Sequence, residues 1–450
     1  MQQKNLLPEK YDIRMNIPIS KNPRVIIIGG GFGGITLTRK LVKEHFQVVL
    51  IDRQNYHTFQ PLLYQVSTSG LEPDSIAYPL RKITRNSREG FFRLAEVNSI
   101  SPEINTVHTS IGDLVYDYLV IATGSKTNFF GNQSIEEHAM WMKTIPQALN
   151  IRSLILENLE QAVITDDPVK RKALLNFVIA GAGPTGVELS GAIAEVRNFI
   201  VPKDYRDLDP KEMKIHLIEG LGRVLPPMSE TVSKKAHKFL LDLGVEIHLN
   251  TMVKGYDGKT VETNQENLSF QTSTFIWAAG VSGAPIEGLN ASALVERADR
   301  YEVNAFNQIK GYENIFAIGD IALMRTEKYP KGHPMVAQPA IQQGKLLAGN
   351  LVRMAKGEQL KAFEYFDKGT MATIGRNRAV VDMGKLQFGG FFAWFIWMFI
   401  HLYFLVGFRN RLITFFNWVY NYINFEKASR LIIRPFKSNK KNLEVDQKKV

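Results

Sequence analysis

The chain has 450 residues, of which 45% are hydrophobic and 22% charged, a balance that fits two or three folded domains and excludes a disordered polypeptide. It contains no cysteine, which excludes disulfides, thiolate metal sites, iron–sulfur clusters and cysteine redox relays; no metal site is expected, and any redox chemistry needs a bound cofactor. The formal net charge of +11 leaves nucleic acid, anionic lipid and an anionic cofactor open as partners until its distribution is read.

In chain order, the first twenty residues mix charges with isolated apolar side chains and lack the continuous apolar core of a secretory signal, so export is not expected. From Pro23 to Asp52 the pattern is a short buried strand (Val25 to Ile28), a glycine cluster, a helix near Ile35 to Glu44 and a second strand (Val48 to Ile51), a βαβ opening. Asp117 to Gly124 reads as another buried strand ending in a small-residue turn. From Asn176 to Glu219 the opening repeats: strand Phe177 to Ala180, glycine cluster, helix through Val187 to Val196, strand Ile215 to Ile218. Similar strands follow at Phe275 to Gly280 and Asn314 to Asp320. Beyond residue 370 the chain changes in kind, because aromatic side chains crowd between Phe388 and Phe425 and basic residues follow. The predicted fold class is α/β, with two Rossmann-like dinucleotide-binding domains and a C-terminal membrane-associating helical segment.

The first glycine cluster, Gly29 to Gly34, contains G-x-G-x-x-G between strand and helix, where glycines allow a tight turn and close approach of a pyrophosphate to the helix N-terminus. Asp52 ends the next strand, where an acid can accept hydrogen bonds from the ribose hydroxyls of an adenosine. Gly181, Gly183 and Gly186 repeat the pattern, with Glu219 in the place of Asp52 after a longer spacing that we assign to an insertion around residues 201–206. A carboxylate at Glu219 would repel a 2′-phosphate, so NADH is favoured over NADPH. Two dinucleotides in one chain point to hydride transfer between a nicotinamide and a flavin.

With these motifs the sequence resembles the flavoproteins with two dinucleotide-binding domains. Within them it is similar to the type II (alternative, non-proton-pumping) NADH:quinone oxidoreductases, over roughly Arg24 to Pro435. The stretches that carry the resemblance are residues 59–66 (FQPLLYQV), 181–189 (GAGPTGVEL), 337–344 (AQPAIQQG) and 373–379 (TIGRNRA). It implies an FAD site built from Gly29, Gly31, Gly34, Asp52, Ala122, Thr123, Gly124, Gly319 and Asp320, and an NADH site at Gly181, Gly183, Gly186, Glu219 and Gly280. It also sets Ala337, Gln338 and Gln342 between flavin and quinone, and makes Glu188 a proton-relay candidate. The implied domains are 20–140 and 286–370 for FAD, 141–285 for NADH and 371–450 for membrane anchoring.

Residues 391–408 hold nine aromatics in eighteen, with His401 as the ionisable group apart from tyrosine. Three exposed aromatics of ~150 to 250 Å² each would cost roughly 10 kcal/mol at ~25 cal/mol per Å². The segment is therefore expected in lipid, as a monotopic anchor on the cytoplasmic face, with a single spanning helix as the alternative. Asparagines alternating with aromatics at 415–425 read as interfacial. The tail from Glu426 to Val450, net +5, reads as a clamp on anionic headgroups. Localised beside a lipid-seeking segment, the charge argues against nucleic acid, and a homodimer through the C-terminal region is plausible. The competing readings are a soluble NADH-dependent reductase of a ferredoxin-like protein and a flavoprotein acting through interactions, in the manner of apoptosis-inducing factors.

Overall fold

A computed structural model describes residues 15–296, 298–424 and 429–433. Residues 1–14 of the opening stretch read for a signal, and the basic tail apart from 429–433, lie outside them. The elements that position the chemistry are, in chain order, β1 (Arg24–Ile28), α1 (Phe32–Leu41), β2 (Gln47–Asp52), α2 (Leu63–Ser67), β3 (Gly90–Leu94), β4 (Tyr118–Ile121), β5 (Asn176–Ala180), α3 (Pro184–Glu195), β6 (Lys214–Ile218), β7 (Glu246–His248), β8 (Thr274–Trp277) and β9 (Ile315–Ala317). They continue with α4 (Ala337–Lys356), β10 (Thr370–Thr373), β11 (Ala379–Met383), β12 (Leu386–Gly390), α5 (Phe391–Phe404) and α6 (Phe408–Asn424).

The described residues fall into two compact units. One takes in the described residues within 15–57, 78–126 and 281–367; the other takes in those within 58–77, 127–280 and 368–433. The first unit is built on a five-stranded sheet in the order β9-β4-β1-β2-β3, all parallel. Val25 to Ile28 are buried on both faces, as a strand at the centre of a parallel sheet requires. The second unit repeats the arrangement in four strands, β7-β6-β5-β8, again parallel, with Ile179 opposite Leu217 on one side and Ile276 on the other. Both follow the doubly wound order in which ligands sit outside the carboxyl ends of the strands.

This grouping differs from the sequence-based ranges, which kept 20–140 together and set 371–450 apart. Segment 58–77 joins the second unit because α6 holds it by side-chain hydrogen bonds. Asn410 Nδ2 donates to the Ala77 carbonyl at 2.7 Å, Asn417 Nδ2 to Glu72 Oε2 at 2.7 Å and Asn421 Nδ2 to the Gly70 carbonyl at 3.1 Å, while Trp418 Nε1 donates to Gln65 Oε1 at 2.8 Å. Asn410, Asn417 and Asn421 therefore face protein. Their spacing of seven and four residues puts them on one helical face.

The antiparallel sheet β10-β11-β12 leads directly into α5. The aromatic run breaks after Phe404, where Leu405 takes an extended conformation and Gly407 a φ of +96°. The spanning alternative fails on length: 14 residues rise ~21 Å against a hydrocarbon core of ~30 Å. Among the described residues no helix is long and apolar enough to cross a membrane.

Candidate functional site

In the first unit the loop between β1 and α1 is shaped by backbone proximity. Gly29 has a φ of +108°, and a Cβ on Gly34 would overlap the Gly29 carbonyl oxygen. A Cβ on Gly31 would meet nothing within 4 Å, so the loop is open on the side where a phosphate would approach. Gly31 starts α1 in extended conformation without a side-chain cap, which leaves the first-turn N–H groups available to an anion. Asp52 Oδ2 accepts the Gly30 N–H at 2.6 Å, and Oδ1 accepts the Gln54 N–H at 2.6 Å. Burial raises its pKa, and those two backbone donors oppose the rise.

Sequence reasoning missed His57 beneath this loop. Its Nδ1 lies 2.9 Å from the Gly30 carbonyl, and burial pushes its pKa down to about 4, so a neutral ring donates that hydrogen bond. A lone histidine carries no signal of this in the sequence.

Thr123 Oγ1 donates to the Ala284 carbonyl at 2.7 Å, and Gly124 takes a φ of +72°. Asp320 Oδ2 accepts the Ser125 hydroxyl at 2.7 Å. Gly319, at φ +76°, donates its N–H to Gln343 Oε1 at 2.7 Å. Gln343 and Ser125 thus tie the late turn to its neighbours, and neither was singled out from sequence. α4 begins at Ala337 with no side-chain cap. The AQPAIQQG stretch divides its work: a Cβ on Gly344 would crowd the Gly33 carbonyl at 2.7 Å, so this glycine lets α4 lie against α1. Gln338 Oε1 is buried without a hydrogen-bond partner. Gln342 is occupied, since its Nε2 donates to the Phe366 carbonyl at 2.9 Å and its Oε1 accepts the Phe366 N–H at 3.0 Å.

The second unit reproduces the loop. Gly181 has a φ of +100°, a Cβ on Gly186 would overlap the Gly181 carbonyl oxygen, and one on Gly183 would meet nothing within 4 Å. Gly183 starts α3 uncapped. Glu219 takes the part of Asp52, with Oε2 accepting the Ala182 N–H at 2.7 Å and Oε1 the Leu221 N–H at 2.9 Å. The long spacing to Glu219 is built as a π-turn at Val196–Ile200 and a short helix at Val201–Asp204, extending α3. Gly280, φ +84°, follows β8, and a Cβ there would meet the Phe130 ring.

Glu188 lies midway along α3 and is 8% exposed. Burial pushes its pKa up to about 8, against a smaller opposing contribution from the Thr373 backbone. Burial first, and the charge that Glu188 carries once ionised, hold the Tyr64 hydroxyl in its neutral form. One turn further along α3, Ala192 and Glu195 line a cavity of about 140 Å³ walled by Tyr64, Trp394, Trp397 and Trp418. Glu195 accepts the Arg376 N–H, and the Arg376 guanidinium lies 4.0 Å from the centre of the Tyr422 ring. Sequence reasoning quoted residues 59–66 and 373–379 as motifs without seeing that they share this wall; only topology shows it.

Comparisons with known proteins agree with this architecture. Residues 23–344 match the pyridine nucleotide-disulphide oxidoreductase family model, and residues 368–424 match the NDH2 C-terminal domain. The chain is 37% identical over 411 residues to the type II NADH:quinone oxidoreductase NdhA of Mycobacterium tuberculosis, covering 88% of this chain and 86% of that protein. It is 36% identical to the Ndh protein of the same organism, covering 91% and 90%. Its fold is similar to the structure of NDH2 from Plasmodium falciparum in complex with NADH, with a TM-score of 0.84 at 21% identity over 92% of this chain and all of the other. A sulfide:quinone oxidoreductase from Aquifex aeolicus shares the fold at a TM-score of 0.66. Two matching regions, relatives above 35% identity along most of their length, and the paired glycine loops with their acids place this chain in the type II NADH:quinone oxidoreductase family.

Proposed function

We infer that the chain oxidises NADH and reduces a quinone by way of bound FAD. The observation that carries the reading is the doubled loop: two uncapped helix starts, each beside an open glycine and each with its second loop residue clamped by a carboxylate. Bound FAD would supply the redox chemistry, accepting hydride from the nicotinamide and delivering two electrons to the quinone. The residues present fit it, because the first-turn donors of α1 suit a pyrophosphate and each Asp52 oxygen keeps a lone pair for a ribose hydroxyl.

The first unit is assigned to FAD and the loop of the second to NADH. Gln338 is the side chain assigned to flavin or quinone, since its buried oxygen lacks a hydrogen-bond partner among the described residues. Gln342 is reassigned to holding Phe366 in place. The cavity beside α3 is assigned to the quinone ring, with Glu188 holding a proton one turn away. Lining by three tryptophans and two tyrosines suits an apolar ring with two polar ends.

Attachment to a lipid surface, on the side where NADH is available, is assigned to the outer faces of α5 and α6. Phe391, Phe395, Phe399 and Tyr403, each 50 to 64% exposed, form a stripe with a four-residue step. Phe408, Leu412, Phe416 and Ile423 continue it on α6. A half-exposed aromatic leaves on the order of 100 Å² in water, so the six aromatics alone reach about 600 Å² and, with Leu412 and Ile423, pass the ~300 to 600 Å² of the largest patch on a typical monomer.

The test is steady-state NADH oxidation by detergent-purified protein with a water-soluble quinone, alongside flotation with anionic vesicles. Yellow protein that turns over and floats, with Phe395→Asp plus Phe399→Asp abolishing flotation while flavin stays bound, is the expected result. Flavin binding without electron transfer from NADH to quinone would overturn the catalytic reading. Self-association of the same patch in place of flotation would overturn the lipid reading.

A further inference from the structure

His216 lies on β6, while Glu246 and His248 lie on β7, the edge strand of the second sheet. In the parallel register His216 stands opposite Glu246 and Ile218 opposite His248. The two-residue period of a strand turns Leu217 and Ile247 to the other face and gathers the three polar side chains on one. His216 Nδ1 is 3.2 Å from His248 Nε2 and 3.4 Å from Glu246 Oε2. Among the described residues these three make a group whose ligand atoms all lie within 4.8 Å of one another.

We propose that His216, Glu246 and His248 form a binding site for a divalent transition-metal ion of the Zn²⁺ class, separate from the dinucleotide loops. The separations of 3.2 and 3.4 Å carry the geometry: an ion held tetrahedrally by bonds of about 2.0 to 2.1 Å needs ligand atoms about 3.3 Å apart. Two imidazoles and one carboxylate without sulfur select Zn²⁺, Co²⁺ or Ni²⁺ over Mg²⁺ and Ca²⁺, which prefer all-oxygen shells. Phe270 packs against both rings, with centroids 4.7 Å from His216 and 5.1 Å from His248, and so fixes their planes. Lys214 Nζ lies 3.5 Å from Glu246 Oε1, leaving Oε2 for the metal. Glu246 is exposed, which leaves a fourth position to water. Sequence reasoning missed this cluster, because Glu246 follows His216 by thirty positions and the ligands share no short motif.

A bound ion would fasten β6 to β7 close to Glu219, whose N–H is already held by the His248 carbonyl at 2.8 Å. The competing account is a plain hydrogen bond between two neutral imidazoles, which needs no ion.

The experiment uses full-length, FAD-loaded protein without a histidine tag, stripped with a chelator and titrated with Co²⁺. The visible bands of tetrahedral Co²⁺ are followed where oxidised flavin absorbs little. Saturation at one ion per chain is expected, reversed by Zn²⁺ and untouched by Mg²⁺. Loss of an outer-shell partner alone weakens metal sites about 10 to 100-fold, so His248→Gln and Glu246→Gln should each weaken binding at least about tenfold. Flavin content and NADH oxidation should persist in both. Absence of a saturable Co²⁺ signal, or saturation that survives both substitutions, overturns the proposal.

Discussion

Glu188 gives the sharpest test of the catalytic reading. Moving a carboxyl from its ordinary 4.5 to about 8 corresponds to about 5 kcal/mol of preference for the neutral form, at about 1.4 kcal/mol for each pKa unit. Above pH 4.5 the unfolded chain has released this proton, while the native chain keeps it until about pH 8. Unfolding in that window therefore releases a proton, and the stability due to this group falls as pH rises, levelling off above pH 8. Between pH 6 and 8 the wild type should lose about 2 to 3 kcal/mol relative to Glu188→Gln, which cannot titrate. The direct assay is infrared difference spectroscopy of the FAD-loaded protein: a carboxylic-acid C=O stretch present at pH 6.5, bleached by pH 9.5 and missing from Glu188→Gln. In turnover, quinone reduction should decline above pH 8 in the wild type and lose that limb in the variant. A carboxylate at Glu188 already ionised at pH 6.5 would refute both the burial argument and the proton-holding role.

Gln338→Ala should impair quinone reduction more than reduction of a small soluble dye and leave the melting temperature nearly unchanged. Gln342→Ala removes two hydrogen bonds to Phe366 and should cost about 1 to 3 kcal/mol of stability, read by chemical denaturation; the opposite pattern would exchange their roles. Gly34→Ala and Gly186→Ala meet the same backbone overlap but should separate by cofactor: the first yields colourless protein, the second yellow protein that NADH fails to reduce. Glu219→Arg should shift the ratio of kcat/KM for NADPH over NADH upward by about tenfold or more, the scale of one hydrogen bond to a charged group, while lowering NADH efficiency because the Ala182 and Leu221 N–H groups lose their acceptor. Unchanged selectivity would put that pocket elsewhere.

The two nucleotide loops were legible because local chemistry dictates them. A glycine with φ near +100° followed five residues later by one whose Cβ has no room leaves a pattern that any reader of the chain can find. Asp52 and Glu219 were legible for the same reason, since each ends the strand beside its loop. The functions of Gln342, Gln343 and Asn417 were not, because an amide on a helix reads alike whether it meets a ligand, a turn or a neighbouring segment. The aromatic segment, read as one unbroken run, is divided between α5 and α6. Hydropathy does not register the break at Leu405 to Gly407, and Trp397, though as apolar as its neighbours, is turned inward and buried. The cavity and the His216 cluster were out of reach, since both depend on strands and helices far apart in the chain.

One rod serves two ends of the second unit. α3 begins at Gly183, where the dinucleotide phosphate is assigned, and reaches the cavity at Ala192 and Glu195 within twelve residues, about 18 Å of rise. A compound lodged against Ala192 would thus have to be displaced by quinone and not by NADH. Cells that respond to such a blocked enzyme by accumulating NADH would gain no relief from it, and the inhibition would deepen only as the quinone pool shrank.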